Sequence, residues 1–197
     1  TELSGLYMSN GMYCTQCEAE GFRRITYYPD RPVVMAPFDV TIHSDLPYAL
    51  SNGEPMRDEG QTRRWQDPWP KPAYLFALVA GEFKVVSDHF TTASGKPVDL
   101  NIYVRDGDQD KCAFALEALK ASMAWDERVY GREYDLSVFN IVAVDDFNMG
   151  AMENKGLNIF NSSAVLASPE TTVDGNFERI EAIIAHEYFH NWTGNRI

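Results

Sequence analysis

The run His186-Glu187-Tyr188-Phe189-His190 constrains this 197-residue chain more than any other stretch. Residues four apart share one face of an α-helix, so the two imidazoles can grip a single metal ion if the segment is helical. Glu187 then stands beside the ion without having to bind it, placed to deprotonate a water that the ion holds. The plain alternative is an amphipathic helix with two surface histidines and a solvated glutamate. Phe177, Ile180, Ile184 and Tyr188 fall at helical spacing as a buried stripe. Arg179, Ile183, His186 and His190 run along the neighbouring face, so the histidines should border the core. Asp174 or Asn176 is expected to cap this helix, and Gly194 to stop it. The pattern points to a metallohydrolase.

A net charge of −12 argues against a nucleic-acid partner. It suits a cationic ligand such as the terminal ammonium of a peptide, alongside ordinary solvation of an acidic surface. No stretch has the apolar length of a membrane span, and no signal peptide opens the chain. Both ends look cut, so a fragment is expected, with the rest of its own chain needed to complete the site. Three cysteines, Cys14, Cys17 and Cys112, make no disulfide framework and favour a reducing compartment, the cytoplasm. Cys14 and Cys17 lack a second ligand pair for structural zinc and should be free thiols.

Residues 1–84 read as β-rich, with Arg24–Tyr28 and Asp39–Ile42 as strands. Asn52-Gly53 signals a hairpin turn after Tyr48-Ala49-Leu50. The proline-studded Asp67–Pro72 should be an irregular connector, and Tyr74–Ala80 a buried strand closed by Gly81. A domain boundary is placed near Val85, giving units 1–84 and 85–197. Val98, Leu100, Ile102 and Val104 then alternate with polar neighbours as a strand with one buried face. A five-turn helix comes next, ending at Gly131, with Cys112, Leu116, Leu119, Met123 and Tyr130 as its core stripe. Ser137–Val144 and Gly156–Phe160 are further strands. Between them lies Gly150-Ala151-Met152-Glu153-Asn154, where Gly150 and Gly156 would let backbones approach closely, as pairing with an extended peptide requires. A simple turn with a solvated glutamate is the alternative. His43 and His89 read as surface or structural histidines. The order of elements from about residue 98 is α+β.

The residues after His190 narrow the chemistry. A metzincin continues H-E-x-x-H-x-x-G-x-x-H, but Thr193 stands in place of that glycine and Arg196 in place of the third histidine. The remaining common solution takes its third ligand from a glutamate on a later helix, which would lie beyond Ile197. Catalytic zinc uses three protein ligands plus water, and this chain supplies two.

The stretch His186–Arg196, preceded by Met149-Gly150-Ala151-Met152-Glu153-Asn154-Lys155-Gly156-Leu157-Asn158-Ile159-Phe160-Asn161, resembles the bacterial type of the aminopeptidase N family, among the gluzincins. Cys14–Arg24 is similar to that family's N-terminal β-domain, so the likeness covers nearly the whole chain. It implies the end of an all-β N-terminal domain followed by the first part of a thermolysin-like catalytic domain. It implies that His186 and His190 bind one Zn2+ and that Glu187 is the general base. Glu153 would hold the free α-amino group of a peptide, with Glu18 as a second carboxylate and Gln16 nearby, the acidic pair being buried. The backbone of Gly150 and Ala151 would pair with the peptide, and Met149 would line the first side-chain pocket. The third zinc ligand and an oxyanion-stabilising tyrosine would lie outside this chain, which alone should be inactive or nearly so. Val33 departs from the family pattern, where an acidic residue is common. A same-scaffold hydrolase that opens epoxides, or a non-catalytic binding module, are the alternatives.

Overall fold

Residues 2–197 are described by a computed structural model. Their short apolar runs form β1 (Gly5–Ser9), β2 (Met12–Gln16), β3 (Met35–His43), β4 (Tyr48–Ser51), β5 (Glu54–Pro55) and β6 (Thr62–Pro72). Further along the chain come β7 (Leu78–Gly81), β8 (Lys84–Thr91), β9 (Pro97–Val104), β10 (Val138–Val144), β11 (Ala151–Met152) and β12 (Leu157–Asn161). The helices are α1 (Ala113–Tyr130) and α2 (Asp174–Phe189). Strands assemble into an antiparallel sheet ordered β1-β2-β7-β4, a second ordered β3-β6-β5, and a mixed sheet ordered β11-β12-β10-β9-β8.

In the mixed sheet β10 runs parallel to both neighbours, β12 and β9. It is buried along its whole length, as a central parallel strand covered on both faces must be. Phe139, Ile141 and Ala143 join a core shared with Leu116, Leu119 and Met123 of α1 and Ile180, Ile184 and Tyr188 of α2. Val142 and Val144 point the other way, into a core with Leu50, Trp65, Leu75 and Val79 of the β-rich half. The mixed sheet is thus the partition between the helices and the β-rich half. Its strand pattern is why the two halves meet in apolar contact beside the motif-bearing loop 145–156.

Several local expectations change. Asp67–Pro72 is not a connector but the end of β6, the middle strand of its sheet. Its prolines recur at every second residue, so the missing N–H groups fall on one side, and the β5 ladder stops at Gln66. A register shift between Ala36 and Phe38 absorbs the irregularity. The strand expected at Tyr74–Ala80 begins only at Leu78, after a 3-10 turn over Ala73–Leu75. Arg24–Tyr28 is not a strand: a 3-10 turn (Phe22–Arg24) leads into irregular chain. Asn52-Gly53 joins strands of two different sheets, because β4 pairs with β7 while β5 pairs with β6. Val173, not Asp174 or Asn176, precedes the first turn of α2 without a side-chain cap. That helix ends at Phe189, before Gly194. The α1 stripe holds except at Tyr130, which is 54% exposed at the helix end.

Candidate active site

The rotation of α2 is fixed by Ile180, Ile184 and Tyr188, each about 1% exposed. That packing leaves His186 exposed, His190 half-buried and Glu187 buried. His190 Nε2 lies 3.0 Å from His186 Nε2. Two ligands of a tetrahedral zinc at about 2.05 Å stand about 3.3 Å apart, so the pair fits two corners of such a site. His190 Nδ1 lies 2.8 Å from Thr193 O. Donation to that carbonyl selects the tautomer that leaves the Nε2 lone pair free, as a metal ligand requires. Among the described residues no cluster of three or more His, Cys, Asp and Glu could hold an ion.

Glu187 Oε2 is buried and has no hydrogen-bond partner. Burial first, then the negative charges of Glu153 and Glu18, push its carboxyl up to about 8. A buried carboxylate without a partner is costly unless a cation or water completes it. Glu18 responds to the same surroundings: burial and Glu153 raise its carboxyl, while His190 lowers it. Glu18, Glu153, Glu187 and His190 therefore share one electrostatic space. Tyr74, which no sequence motif singles out, joins them, its hydroxyl raised by burial and then by Glu153 and Glu18. The carboxylate pair is less enclosed than expected, with Glu153 half-buried and Glu18 exposed.

Glu18 stands on a tight turn after β2, closed by Gly21 N–H donating to Cys17 O at 2.7 Å. A Cβ at Gly21 would come within 2.6 Å of Gln16 O, so the close turn requires glycine. Gln16 itself is buried, its Nε2 3.9 Å from Met149 Sδ and its Oε1 unpartnered. Gly150, Ala151 and Glu153 lie on or beside β11, the edge strand of the mixed sheet. Ala151 and Met152 pair with Phe160 and Ile159 on one side, and among the described residues no strand pairs with the other edge. Gly156, at φ +76°, turns the chain into β12, and a Cβ there would lie 3.0 Å from Gly53 N. A Cβ at Gly150 would meet only Ile183 Cδ1, at 3.5 Å, among the described residues, an ordinary van der Waals contact.

Behind this acidic pole lies a cationic layer to which sequence pattern alone assigns no role. Lys155, two residues after Glu153, donates to Asp135 Oδ1 at 2.5 Å and to Asn191 Oδ1 at 2.7 Å. Arg196 pairs with Asp135 Oδ2 and stacks on Trp69, its guanidinium 3.5 Å from the ring centroid. Lys155, Asn191, Asn195 and Arg196 are visible inside the two motifs. Asp135 and Tyr74 carry no signal in the sequence, because only the fold brings them to the site.

Residues 1–75 match the peptidase M1 N-terminal domain, and residues 114–197 match the peptidase family M1 domain. The chain belongs to the peptidase M1 family. Over 202 residues this M1 chain is 59% identical to aminopeptidase N of Caulobacter vibrioides, covering 99% of the chain and 23% of that protein. It is 56% identical to aminopeptidase N of Escherichia coli, covering 100% of the chain and 24% of that protein. Among solved structures, Legionella pneumophila aminopeptidase A in complex with aspartic acid superposes with a TM-score of 0.93 at 40% identity, over 98% of the chain and 24% of that protein. The M1 chain thus spans about a quarter of the length of these relatives. Its architecture is the expected one, an all-β N-terminal domain followed by the first part of the catalytic domain.

Proposed function

We propose that this chain is part of a zinc aminopeptidase that removes single residues from peptides with a free N-terminus. One observation carries the proposal: two histidine Nε2 atoms converge at 3.0 Å beside a buried, unpartnered Glu187. His186 and His190 would hold Zn2+, which when bound supplies Lewis acidity toward a carbonyl and an acidified water. Glu187 accepts a proton at its carboxylate and passes it to the leaving amine. Glu153, with Glu18 across from it and Gln16 nearby, takes the substrate's ammonium by charge-assisted hydrogen bonds. An N-acylated terminus offers no charge to them and is rejected. Gly150 and Ala151 pair with the peptide backbone along the free edge of β11, and Met149 borders the first side-chain pocket. The Legionella relative's complex with aspartic acid, which bears a free α-amino group, is in keeping with this anchor.

The third ligand and the group that steadies the developing oxyanion are assigned to the parts of the relatives that this chain does not span, so the chain alone is expected to be inactive or nearly so. The division near Val85 is supported by strand membership, since β7 pairs in the first sheet and β8 in the mixed sheet. Three unpaired, buried cysteines favour the cytoplasm, and the net charge of −12 weighs against nucleic acid. No helix among the described residues is long and apolar enough to cross a membrane.

The test compares an alanine amide reporter with its N-acetylated form, using the full-length protein before and after chelation. Cleavage of the free amine alone, lost on chelation and restored by zinc, is expected. Equal cleavage of both forms would make the protein an endopeptidase and remove the role of Glu153. Cleavage of neither, with zinc bound, would shift it to epoxide opening or to binding without chemistry.

A further inference from the structure

We propose that Asp135 is the positioning residue that holds the amine-binding loop and the metal-binding helix in one frame, a refinement that rests on the aminopeptidase proposal. Asp135 lies in neither motif. It precedes β10, locked between buried Tyr134, whose hydroxyl donates to Val138 O at 2.9 Å, and buried Leu136. Its side chain is 9% exposed, and both oxygens are used. Oδ1 accepts from Lys155 Nζ at 2.5 Å and from Asn191 Nδ2 at 3.2 Å, and Oδ2 accepts from Arg196.

Those three donors come from the two motif segments. Lys155 lies two residues beyond Glu153. Asn191 directly succeeds His190, and Arg196 closes the same turn. Lys155 also donates to Asn191 Oδ1, and Asn195 Nδ2 donates to Glu153 O at 3.0 Å. The turn from Asn191 to Arg196 contains Thr193, whose carbonyl faces His190 Nδ1. One carboxylate just ahead of β10 thereby ties together the segment of the amine anchor and the turn whose carbonyl orients a metal-binding ring. Reacting groups misplaced by about 1 Å lose on the order of 10²-fold in rate, and loss of an outer support costs about 10- to 100-fold in metal affinity. Asp135 gives this chain a reason to place a lysine, 2% exposed at its side chain, behind an acidic pole.

The test uses the full-length protein and four variants: Asp135→Asn, Asp135→Glu, Glu153→Gln and the double variant Asp135→Asn/Glu153→Gln. Asp135→Asn is expected to raise KM for the free-amine reporter about tenfold and to weaken zinc, measured by chelator competition, about tenfold. Asp135→Glu should recover part of both. On a Glu153→Gln background, Asp135→Asn should raise KM little further, because its effect passes through Glu153. Full multiplication of the two KM effects overturns the proposal. So does a variant that only lowers Tm while KM and zinc affinity match wild type. Should Asp135→Asn not fold, Arg196→Gln on the more open side of the same carboxylate must move zinc affinity in the same direction. A wild-type protein that cleaves no free-amine substrate is no aminopeptidase, yet the zinc competition still decides whether Asp135 supports His190.

Discussion

The side-chain amide of Asn52 donates to Lys155 O at 2.9 Å, across 103 positions of the chain. The same nitrogen donates to Leu75 O at 3.0 Å, and Asn52 Oδ1 accepts from Ala77 N–H at 2.8 Å. A turn of the β-rich half is thus bonded directly to the loop that carries Glu153. Asn52→Ala leaves three buried backbone groups without these partners, at a cost of about 2–3 kcal/mol. Urea unfolding should show a lower midpoint for this variant. An unchanged midpoint would mean that water replaces the amide without penalty.

Lys71 and Asp67 form a second buried tie, 2.8 Å apart, with side chains 1% and 0% exposed. Lys71 Nζ also sits 4.1 Å from the Phe38 ring centroid. Lys71→Met strands the carboxylate and should cost about 3–5 kcal/mol. Adding Asp67→Leu should restore much of that loss, because the uncompensated charge is gone. A double variant as unstable as the single one would show that Asp67 is needed for its bond to Trp69 N–H, not for the pair.

Glu187→Ala should lower kcat by about 10²–10⁴-fold, the range of general-base catalysis, while the protein keeps one zinc. Metal analysis beside kinetics separates the two roles: loss of zinc in this variant would make Glu187 a ligand.

Glu153→Gln keeps the shape of the amine anchor and removes its charge. A loss of about 10²-fold in kcat/KM on free-amine reporters is expected, close to 2.7 kcal/mol. Zinc content and Tm should match wild type, and the N-acetylated reporter should stay uncleaved. A loss of zinc or a lower Tm that accompanies the fall would place Glu153 in the framework and not against the ammonium.

Zinc should stabilise the folded protein by mass action, about 2.7 kcal/mol at a free concentration of a hundred times Kd. Tm measured against zinc concentration is expected to rise, and to fall on chelation. His190→Ala should flatten that dependence; a slope like that of wild type would locate the metal elsewhere.

Elements whose pattern answers to one strong local rule were legible from the residues. The 2-residue period of Val98–Val104 and the 3.6-residue stripe of Ile180, Ile184 and Tyr188 both became what they predict, because burial of one face dictates each. Asp67–Pro72 failed for a reason of context: a strand tolerates prolines where one side needs no ladder, and which side that is depends on a neighbour distant in sequence. Asn52-Gly53 failed likewise, since a turn signal says that the chain bends and not which sheet receives it.

The sequence by itself determined the helix with its two histidines and glutamate, the run from Met149 to Asn154, and the likeness that places them together. Side-chain spacing on a helix is set by covalent geometry, so the convergence of His186 and His190 needs no partner element. Only the tertiary structure decided that Tyr74 and Asp135 meet that helix and the loop after β10. Their encounter depends on β10 being covered on both faces, which draws the β-rich half against the sheet. Long-range packing of that kind leaves no periodic trace in any one segment, because each segment's pattern records that a face is buried and not what buries it.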